Sequence, residues 1–253
     1  MKKASITTGG RHLELAYLDE GQGEPVLLIH GFASNKEINW ANTGWIRDLN
    51  HAGFRTIAFD NRGHGASTKF YQASDYSLEW MAEDVVNLLD HLGVEHCHLI
   101  GYSMGARIST TLAMHHGQRF GKVVLSGNGW GMVEGSGDWT PVHDALLAPS
   151  LADVTDPRGR AFRAFADQTG SDRVALAACV TGVRELIPET WLSYIQNDVL
   201  VAIGSEDDLA GSGEKLAAAL PHGRFLEIPD RDHMKAVGDK VHKRGALAFL
   251  QEK

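Results

Sequence analysis

One short turn constrains the fold of this chain more than any other feature. The segment "CHLIGYSMGARISTTLAMHH" runs apolar up to Ile100, turns at Ser103 between Gly101 and Gly105, and continues with apolar residues at helical spacing. A serine in such a turn is held in a strained conformation, and a side chain on either flanking glycine would collide with the neighbouring strand or helix. The pattern therefore predicts a buried strand and a helix that meet at an accessible serine hydroxyl.

Short apolar runs and helical patterns alternate along most of the chain. The segments "ASITT" and "HLELAYLD" predict an N-terminal β-hairpin, and further buried strands are predicted at "VLLIH", "RTIAFD", "CHLIGY", "KVVLSG", "VLVAIG" and "RFLEIP". Apolar residues at helical spacing occur in five segments: 40–51, 77–93, 104–116, 213–220 and 239–251. Ser77 is the predicted N-cap of the second segment and Gly93 its end. This alternation predicts one α/β domain in which helices cover both faces of a mostly parallel sheet.

One interval lacks a convincing strand. Between Gly127 and Pro188, a glycine-rich loop is followed by the helical segments "HDALLAP", "GRAFRAFADQ" and "RVALAACVTGVREL". We expect residues 128–188 to form a helical cap over the sheet, and residues 1–127 and 189–253 to form the core domain. The alternative interpretation is a run of ordinary surface helices.

The charge balance and the cysteine content restrict the partners and the compartment. The formal net charge of -8 disfavours binding to nucleic acid or to an anionic membrane surface. The N-terminus has no apolar signal segment, and no stretch reaches the roughly 20 apolar residues that a membrane span requires. The two cysteines, Cys97 and Cys179, do not indicate a disulfide framework. We therefore expect an unanchored cytoplasmic protein, and the sequence favours no particular oligomeric state.

A serine hydroxyl is a weak nucleophile until a base accepts its proton, so Ser103 needs a histidine and a group that orients this histidine. The strand "VLVAIG" ends in the acidic turn "SEDD", where Asp207 is the chosen carboxylate and Glu206 and Asp208 are alternatives. His233 follows the last predicted strand and completes the chain order Ser, Asp, His. The sequence therefore predicts a catalytic triad at the carboxyl ends of the strands.

Nucleophilic attack by a serine also requires donors for the negative charge that develops on the substrate. The backbone N–H of Met104, directly after the serine, is one expected donor of this oxyanion hole. The second is the N–H of Phe32, since His30-Gly31 lets the preceding backbone turn close to the substrate. We interpret His30 as a structural residue that braces this loop.

Several aromatic and apolar side chains are candidates for a substrate pocket. Trp130, Met132 and Trp139 follow the sixth predicted strand closely, and packing within the cap is an equally good interpretation of them. Phe32 and Tyr102 flank the expected oxyanion hole, so we expect both to contact substrate.

Two other patterns do not indicate a metal or a cofactor. In "HCH" at 96–98 alternate strand residues point to opposite faces, and the neighbouring histidines at 115–116 do not converge on a helix. The glycines of 127–137 lack the following helix that a dinucleotide-binding loop requires. We therefore expect neither a metal nor a cofactor.

Five motifs, in order, resemble those of the α/β-hydrolase superfamily over nearly the whole chain. They are HGF at 30–32, "FDNRGHGAS" at 59–67, "GYSMGA" at 101–106, "GSEDD" at 204–208 and "DRDH" at 230–233. The resemblance implies an eight-stranded, mostly parallel sheet flanked by helices, with a helical cap inserted after the sixth strand. It also implies that the second motif, which contains Asp60 and Arg62, is mainly structural.

Departures from individual families narrow the expected reaction. Haloalkane dehalogenases and epoxide hydrolases place an aspartate where this chain has Ser103, and carbon–carbon bond hydrolases usually place Asn where it has Tyr102. Some relatives carry the acid after the sixth strand, but this chain has Asn128 there, so Asp207 keeps that assignment. The resemblance thus favours a cofactor-free serine hydrolase of small carboxylic esters. A lactonase, thioesterase, perhydrolase or carbon–carbon bond hydrolase is the alternative, and a non-catalytic ligand-binding protein is a more distant one.

Overall fold

The computed structural model describes residues 1–252 and contains one eight-stranded sheet. The strand order is β1-β2-β4-β3-β5-β6-β7-β8. The strands are β1 (Lys2–Thr8), β2 (Arg11–Glu20), β3 (Pro25–Ile29), β4 (Arg55–Phe59), β5 (Cys97–Tyr102), β6 (Phe120–Ser126), β7 (Val199–Gly204) and β8 (Gly223–Ile228). Only the pairings of β1 with β2 and of β2 with β4 are antiparallel within residues 1–252. The predicted mostly parallel sheet is confirmed.

Helices fill the connections between the parallel strands. The α-helices are α1 (Trp45–His51), α2 (Leu78–His91), α3 (Met104–His116), α4 (Gly131–Glu134), α5 (Thr140–Leu147), α6 (Pro157–Gln168), α7 (Arg173–Gly182), α8 (Gly213–Ala219) and α9 (Lys240–Gln251). Short 3-10 turns and one π-helical turn, Glu37–Ala41, complete the connections. The Ser77 hydroxyl accepts a hydrogen bond from the Trp80 N–H, as predicted for the N-cap of α2.

The predicted helix over 40–51 is shorter in the structure. It begins only at Trp45, because Gly44 has a φ of 80°, which an α-helix cannot contain. The residues before Gly44 form the π-helical turn instead. A sequence pattern of apolar spacing does not reveal this break.

The two faces of the sheet pack against different helices. On β3, Val26 and Leu28 face a cluster that contains Trp40, Trp45 and Phe249, on the side of α1 and α9. The alternate residues of the same strand, Leu27 and Ile29, face the larger cluster formed with α2 and α3. Because successive strand residues point to opposite faces, a continuously apolar strand requires this double cover.

Four helices, α4 to α7, lie between β6 and β7. Apolar side chains from them, including Val142, Phe162 and Leu176, belong to the same core cluster as the sheet face beneath α3. This helical layer therefore shares one apolar core with the sheet rather than standing away from it. The limits of 128–188 for the cap stay a prediction.

Helix length and polarity also bear on membrane insertion. Within residues 1–252, none of the helices combines the length and apolar character that crossing a bilayer needs.

Cys97 and Cys179 are both free and buried.

Candidate active site

The turn between β5 and α3 holds Ser103 in a strained backbone conformation. Ser103 has φ 54° and ψ -112°, which non-glycine residues seldom adopt, and its N–H donates to the Ser126 carbonyl oxygen at 2.7 Å. A Cβ on Gly101 would collide with the carbonyl oxygen of Gly105, and a Cβ on Gly105 would collide with that of Ile29. Both glycines are thus required by the close approach of neighbouring backbone, as the sequence pattern predicts.

Three side chains from distant parts of the chain form a hydrogen-bonded row. His233 Nε2 lies 2.9 Å from Ser103 Oγ, and His233 Nδ1 lies 2.8 Å from Asp207 Oδ2. Ser103 follows β5, Asp207 follows β7 and His233 follows β8. Since these strands are parallel, their carboxyl ends meet at one edge of the sheet. The structure therefore brings together the three residues chosen from the sequence.

The Asp207 carboxylate is held from both sides. Its Oδ1 accepts hydrogen bonds from the N–H groups of Leu209 and Ala210, both at 3.0 Å, which leaves Oδ2 for His233. The Asp207 side chain is fully buried, whereas the alternative acids in this turn, Glu206 and Asp208, are exposed. The turn geometry thus selects one of the three acidic residues.

Tyr102 positions the histidine loop. Its hydroxyl donates to the backbone carbonyl oxygen of His233 at 2.5 Å, and the two ring centroids lie 5.7 Å apart. Burial raises the pKa of Tyr102 well above its usual value, so the hydroxyl keeps its proton and donates. The ring also lines a cavity beside Ser103. Tyr102 therefore has a positioning contact that its sequence position did not reveal.

Two backbone amides next to Ser103 are available to a ligand. The loop after β3 passes so close that a Cβ on Gly31 would lie 3.3 Å from the Cβ of Ser103. Phe32, in this loop, and Met104, at the start of α3, both line the space beside Ser103. Within residues 1–252 neither N–H donates to a protein acceptor. This is the arrangement expected for oxyanion donors.

His30 braces the loop that carries Phe32. It is fully buried, with Nδ1 2.7 Å from the Gly31 carbonyl oxygen and Nε2 3.0 Å from the Asn61 N–H that donates to it. Burial lowers the pKa of His30, which favours the neutral ring with one donor and one acceptor nitrogen. Both ring nitrogens are therefore used within the fold.

Two chambers share lining residues with a narrow neck at Ser103. The first, which we call the basic chamber, has a volume of about 480 Å³ and is lined by residues including Arg107, Trp139, Val180 and Arg184. The second, the apolar chamber, has a volume of about 240 Å³ and is lined by residues including Ile38, Phe162, Phe165 and Val237. A neck of about 30 Å³, lined by Phe32, Ser103, Met104 and His233 among others, lies between them.

The candidate pocket residues divide into two groups. Phe32 lines the neck and the apolar chamber, and Trp139 lines the neck and the basic chamber. Their rings lie 5.8 Å and 5.2 Å, respectively, from the ring centroid of Phe162. Trp130 and Met132 line none of these three spaces. They pack inside the protein.

The packing of Trp130 and Met132 has a clear physical reason. The Trp130 ring lies under the Lys215 ammonium, 4.2 Å from the ring centroid. Met132 is fully buried, with its sulfur 3.6 Å from the hydroxyl of Thr110 on α3. The direction in which the loop after β6 turns decides these contacts, and residue type alone does not predict it.

Comparison with known proteins agrees with this architecture. Residues 24–172 match the family model described as alpha/beta hydrolase fold. The chain belongs to this family. It is 28% identical over 249 residues to a protein of Mycobacterium tuberculosis named as a non-heme bromoperoxidase, BpoC, with 88% of this chain and 91% of that protein covered.

Solved α/β-hydrolase structures share the fold over almost the full length. The enol-lactonase from Burkholderia xenovorans LB400 superposes with a TM-score of 0.81 at 22% identity, covering 99% of this chain and 100% of that one. An esterase from Exiguobacterium antarcticum gives a TM-score of 0.81 at 18% identity, with the same coverage. At such identities the likeness establishes the fold alone.

The α/β-hydrolase motif around Asp60 and Arg62 is occupied by structural contacts. The Asp60 carboxylate accepts from the Lys36 ammonium at 2.8 Å and from backbone N–H groups, including that of Lys36. The Arg62 guanidinium makes two hydrogen bonds of 2.6 Å to the Asp84 carboxylate. These buried pairs fix the loop after β4, in agreement with the structural role expected for it.

No group of three or more His, Cys, Asp or Glu side chains within residues 1–252 has the arrangement of a metal site. Of the histidines considered from the sequence, His98 accepts from the Lys122 N–H at 2.9 Å, while its Nε2 lies 3.2 Å from a Glu24 carboxylate oxygen. These contacts join β5 to the neighbouring strand β6 and to the residue before β3.

Two arginines of this α/β hydrolase are site residues that the sequence did not predict. Arg107 and Arg184 line both the basic chamber and the neck. A signal for Arg107 was present, since it is the one Lys or Arg in the sequence of this helix and lies near the N-terminal end, where the helix dipole disfavours positive charge. Arg184 had no comparable signal, because it enters the site only through the packing of α5 and α7.

Proposed function

We propose that this enzyme hydrolyses small carboxylic esters through an acyl-enzyme intermediate. Ser103 is the nucleophile, His233 the general base and acid, and Asp207 the carboxylate that orients the histidine. The observation that carries this proposal is the row from Ser103 Oγ to His233 Nε2, at 2.9 Å, and from His233 Nδ1 to Asp207 Oδ2, at 2.8 Å. Such a row is the arrangement by which a serine is activated for acyl transfer.

In the first half of the reaction, Ser103 Oγ attacks the ester carbonyl carbon while its proton passes to His233 Nε2. The carbonyl oxygen becomes an oxyanion and accepts hydrogen bonds from the N–H groups of Phe32 and Met104. The intermediate then collapses, the bond to the alcohol oxygen breaks, and His233 gives its proton to the leaving alkoxide. Asp207 stays ionised and stabilises the imidazolium.

In the second half, His233 accepts a proton from water, whose oxygen attacks the acyl carbon. Collapse of the second oxyanion returns Ser103 with the proton from His233 and releases the carboxylic acid. The neck excludes bulky groups around the reacting carbon, while the two chambers hold the parts of the substrate on either side. The narrow neck supports a substrate with little bulk around the reacting carbon.

The experiment compares wild type with Ser103→Ala on p-nitrophenyl acetate, butyrate and octanoate. We expect a burst of p-nitrophenol and an acyl adduct on Ser103 in wild type, and neither in the variant. Ser193→Ala, at an exposed serine away from the site, is the matched control and retains both signals. Unchanged turnover in folded Ser103→Ala protein would show that another group is the nucleophile.

Other acyl substrates use the same machinery. A lactone, a thioester, peroxide in perhydrolysis or an activated carbon–carbon bond each needs a nucleophile, a base and an oxyanion hole. Product analysis with one substrate of each class ranks them against simple esters. A ligand bound tightly without any turnover would instead favour a binding protein on a hydrolase fold.

We also propose that the protein works in the cytoplasm. Burial raises the pKa of the Cys97 thiol to about 12 and that of the Cys179 thiol to about 12, so neither is poised for disulfide exchange. Cell fractionation followed by immunodetection tests this location.

A further inference from the structure

The basic chamber has two arginines in its wall, and neither has a carboxylate partner within residues 1–252. Arg107 lies on α3, the helix that begins at the candidate nucleophile, and Arg184 follows α7. Both line the neck as well as the chamber, so their guanidinium groups border the space next to Ser103. Their position is therefore suited to contact a molecule that also reaches the serine.

The hydrogen bonds of these two arginines are incomplete. Arg107 donates from Nη2 to the backbone carbonyl oxygen of Glu185, and Arg184 makes no hydrogen bond within residues 1–252. The Nε atom of each is buried without a partner. The Arg184 guanidinium instead lies over the Trp139 ring, with its Cζ 4.2 Å from the ring centroid, which restricts where the guanidinium can lie. Buried donors without acceptors are unfavourable, and a ligand that supplies acceptors removes that penalty.

The positive charges of Arg107 and Arg184 are themselves unfavourable at these buried positions. Burial lowers the pKa of Arg107 to about 10, and burial together with the charge of Arg107 lowers the pKa of Arg184 to about 10. Arg107 also lies near the N-terminal end of α3, where the helix dipole is positive. Burial, mutual repulsion and the helix dipole all oppose two cations here, and a bound anion relieves all three.

The acidic side chains near the chamber do not neutralise these arginines. Glu185 is exposed, and its charge raises the pKa of Arg107 less than burial lowers it. Asp138 is exposed, and its carboxylate accepts from the Thr140 N–H at 2.9 Å. Arg158, just outside the chamber lining, places a third cation 5.4 Å from the Trp139 ring centroid and donates to the Ser136 carbonyl oxygen. A protein whose formal net charge is -8 thus concentrates positive charge at this wall.

We infer that the substrate carries a carboxylate, which Arg107 and Arg184 bind in the basic chamber while the ester carbonyl lies in the neck at Ser103. This inference rests on the proposed ester hydrolysis and names its substrate class: an ester with a second, ionised carboxyl group, such as the half-ester of a short dicarboxylic acid. Planar guanidinium groups bind carboxylates with two parallel hydrogen bonds, and the contact with Trp139 already restricts the position of the Arg184 guanidinium.

The test compares two methyl esters of equal chain length, monomethyl glutarate and methyl pentanoate, by following methanol release. Wild type is expected to show a kcat/KM at least about tenfold higher for the anionic ester. Arg184→Met is expected to lower the ratio of the two kcat/KM values by about 10- to 100-fold, since it removes charge-assisted hydrogen bonds. Arg107→Lys keeps the positive charge but loses the planar guanidinium, so the ratio is expected to fall by less than in Arg184→Met.

Arg160→Met is the matched control. It removes the same charge from an exposed position on α6 that lines neither chamber, and the ratio stays at the wild-type value. Wild type that hydrolyses methyl pentanoate as well as monomethyl glutarate overturns the carboxylate site while the proposed ester hydrolysis stands.

A failure of the proposed function gives a different result. If wild type hydrolyses neither ester, titration calorimetry with glutarate tests the anion site directly. Glutarate binding that Arg184→Met weakens at least about tenfold supports the site without ester chemistry. No binding of glutarate by wild type overturns the inference as well.

Discussion

Replacing Asp207 by Asn tests the proposed triad most sharply, because the structure fixes how the new side chain would lie. Oδ1 of Asp207 accepts from the N–H groups of Leu209 and Ala210, so an amide at this position directs its oxygen there. Its NH2 group then faces His233 Nδ1, which at present lies 2.8 Å from a carboxylate oxygen. To avoid two facing donors, the neutral histidine must carry its proton on Nε2, where it can no longer accept the proton of Ser103.

The size of the effect follows from this change of tautomer. In the serine-protease triad, the same replacement lowers kcat by about 10⁴-fold while the geometry is retained. This corresponds to about 5 kcal/mol in the activation free energy. We expect a loss of the same order for Asp207→Asn, measured as the steady-state rate of p-nitrophenyl butyrate hydrolysis per folded molecule.

The neighbouring acid provides the control. Asp208 is exposed and makes no contact with His233, so Asp208→Asn is expected to change kcat by less than about twofold. Circular dichroism melting curves check that both variants are folded. If Asp207→Asn kept more than about a tenth of the wild-type kcat, the tautomer argument would be refuted, and another group would have to orient His233.

Three further predictions concern the surroundings of the site. Burial lowers the pKa of His242 from 6.5 to about 4, so the unfolded chain binds this proton first as pH falls. The free energy of unfolding is therefore expected to decrease between about pH 6.5 and 4 by up to about 3 kcal/mol. Urea titrations should show a smaller decrease in the His242→Gln variant. Tyr102→Phe removes the hydrogen bond to the His233 carbonyl oxygen. This loss should lower the free energy of unfolding by about 1 kcal/mol and reduce kcat rather than raise KM. An unchanged kcat would contradict the positioning role of Tyr102. Gly105→Ala places a methyl group against the Ile29 carbonyl oxygen and should destabilise the protein by about 3 kcal/mol, whereas a wild-type urea midpoint would show that the backbone can move aside.

The fold and the candidate triad were largely predictable because their signals are local. The first two strands alternate apolar and polar residues, most of the others are short apolar runs, and Ser103 lies between glycines whose absent side chains the turn requires. Asp207 and His233 each follow a strand, and parallel strands end at one edge of a sheet. Chain order and turn chemistry were therefore enough to place three distant residues together.

The walls of the two chambers were not predictable in the same way. Trp130 and Trp139 are both aromatic and both follow β6, yet one packs under Lys215 and the other lines the neck. Which of them faces the cavity depends on how the loop after β6 turns and how α5 packs. Arg184 illustrates the same point, since in the sequence it resembles an ordinary solvated residue after a helix. Only the packed structure shows that its Nε is buried without a partner.

The start of α3 carries residues of both the proposed ester cleavage and the proposed carboxylate binding. Ser103 precedes this helix, the Met104 N–H is its first free donor, and Arg107 follows within the next turn. The proposed nucleophile, one proposed oxyanion donor and one proposed anion ligand are thus held by a single rigid element, so their mutual distances are expected to change little when the helices above them move. Arg184 and Trp139 come instead from the layer between β6 and β7. Substitutions in that layer should therefore change which carboxylate-bearing esters the enzyme binds before they change the rate of bond cleavage.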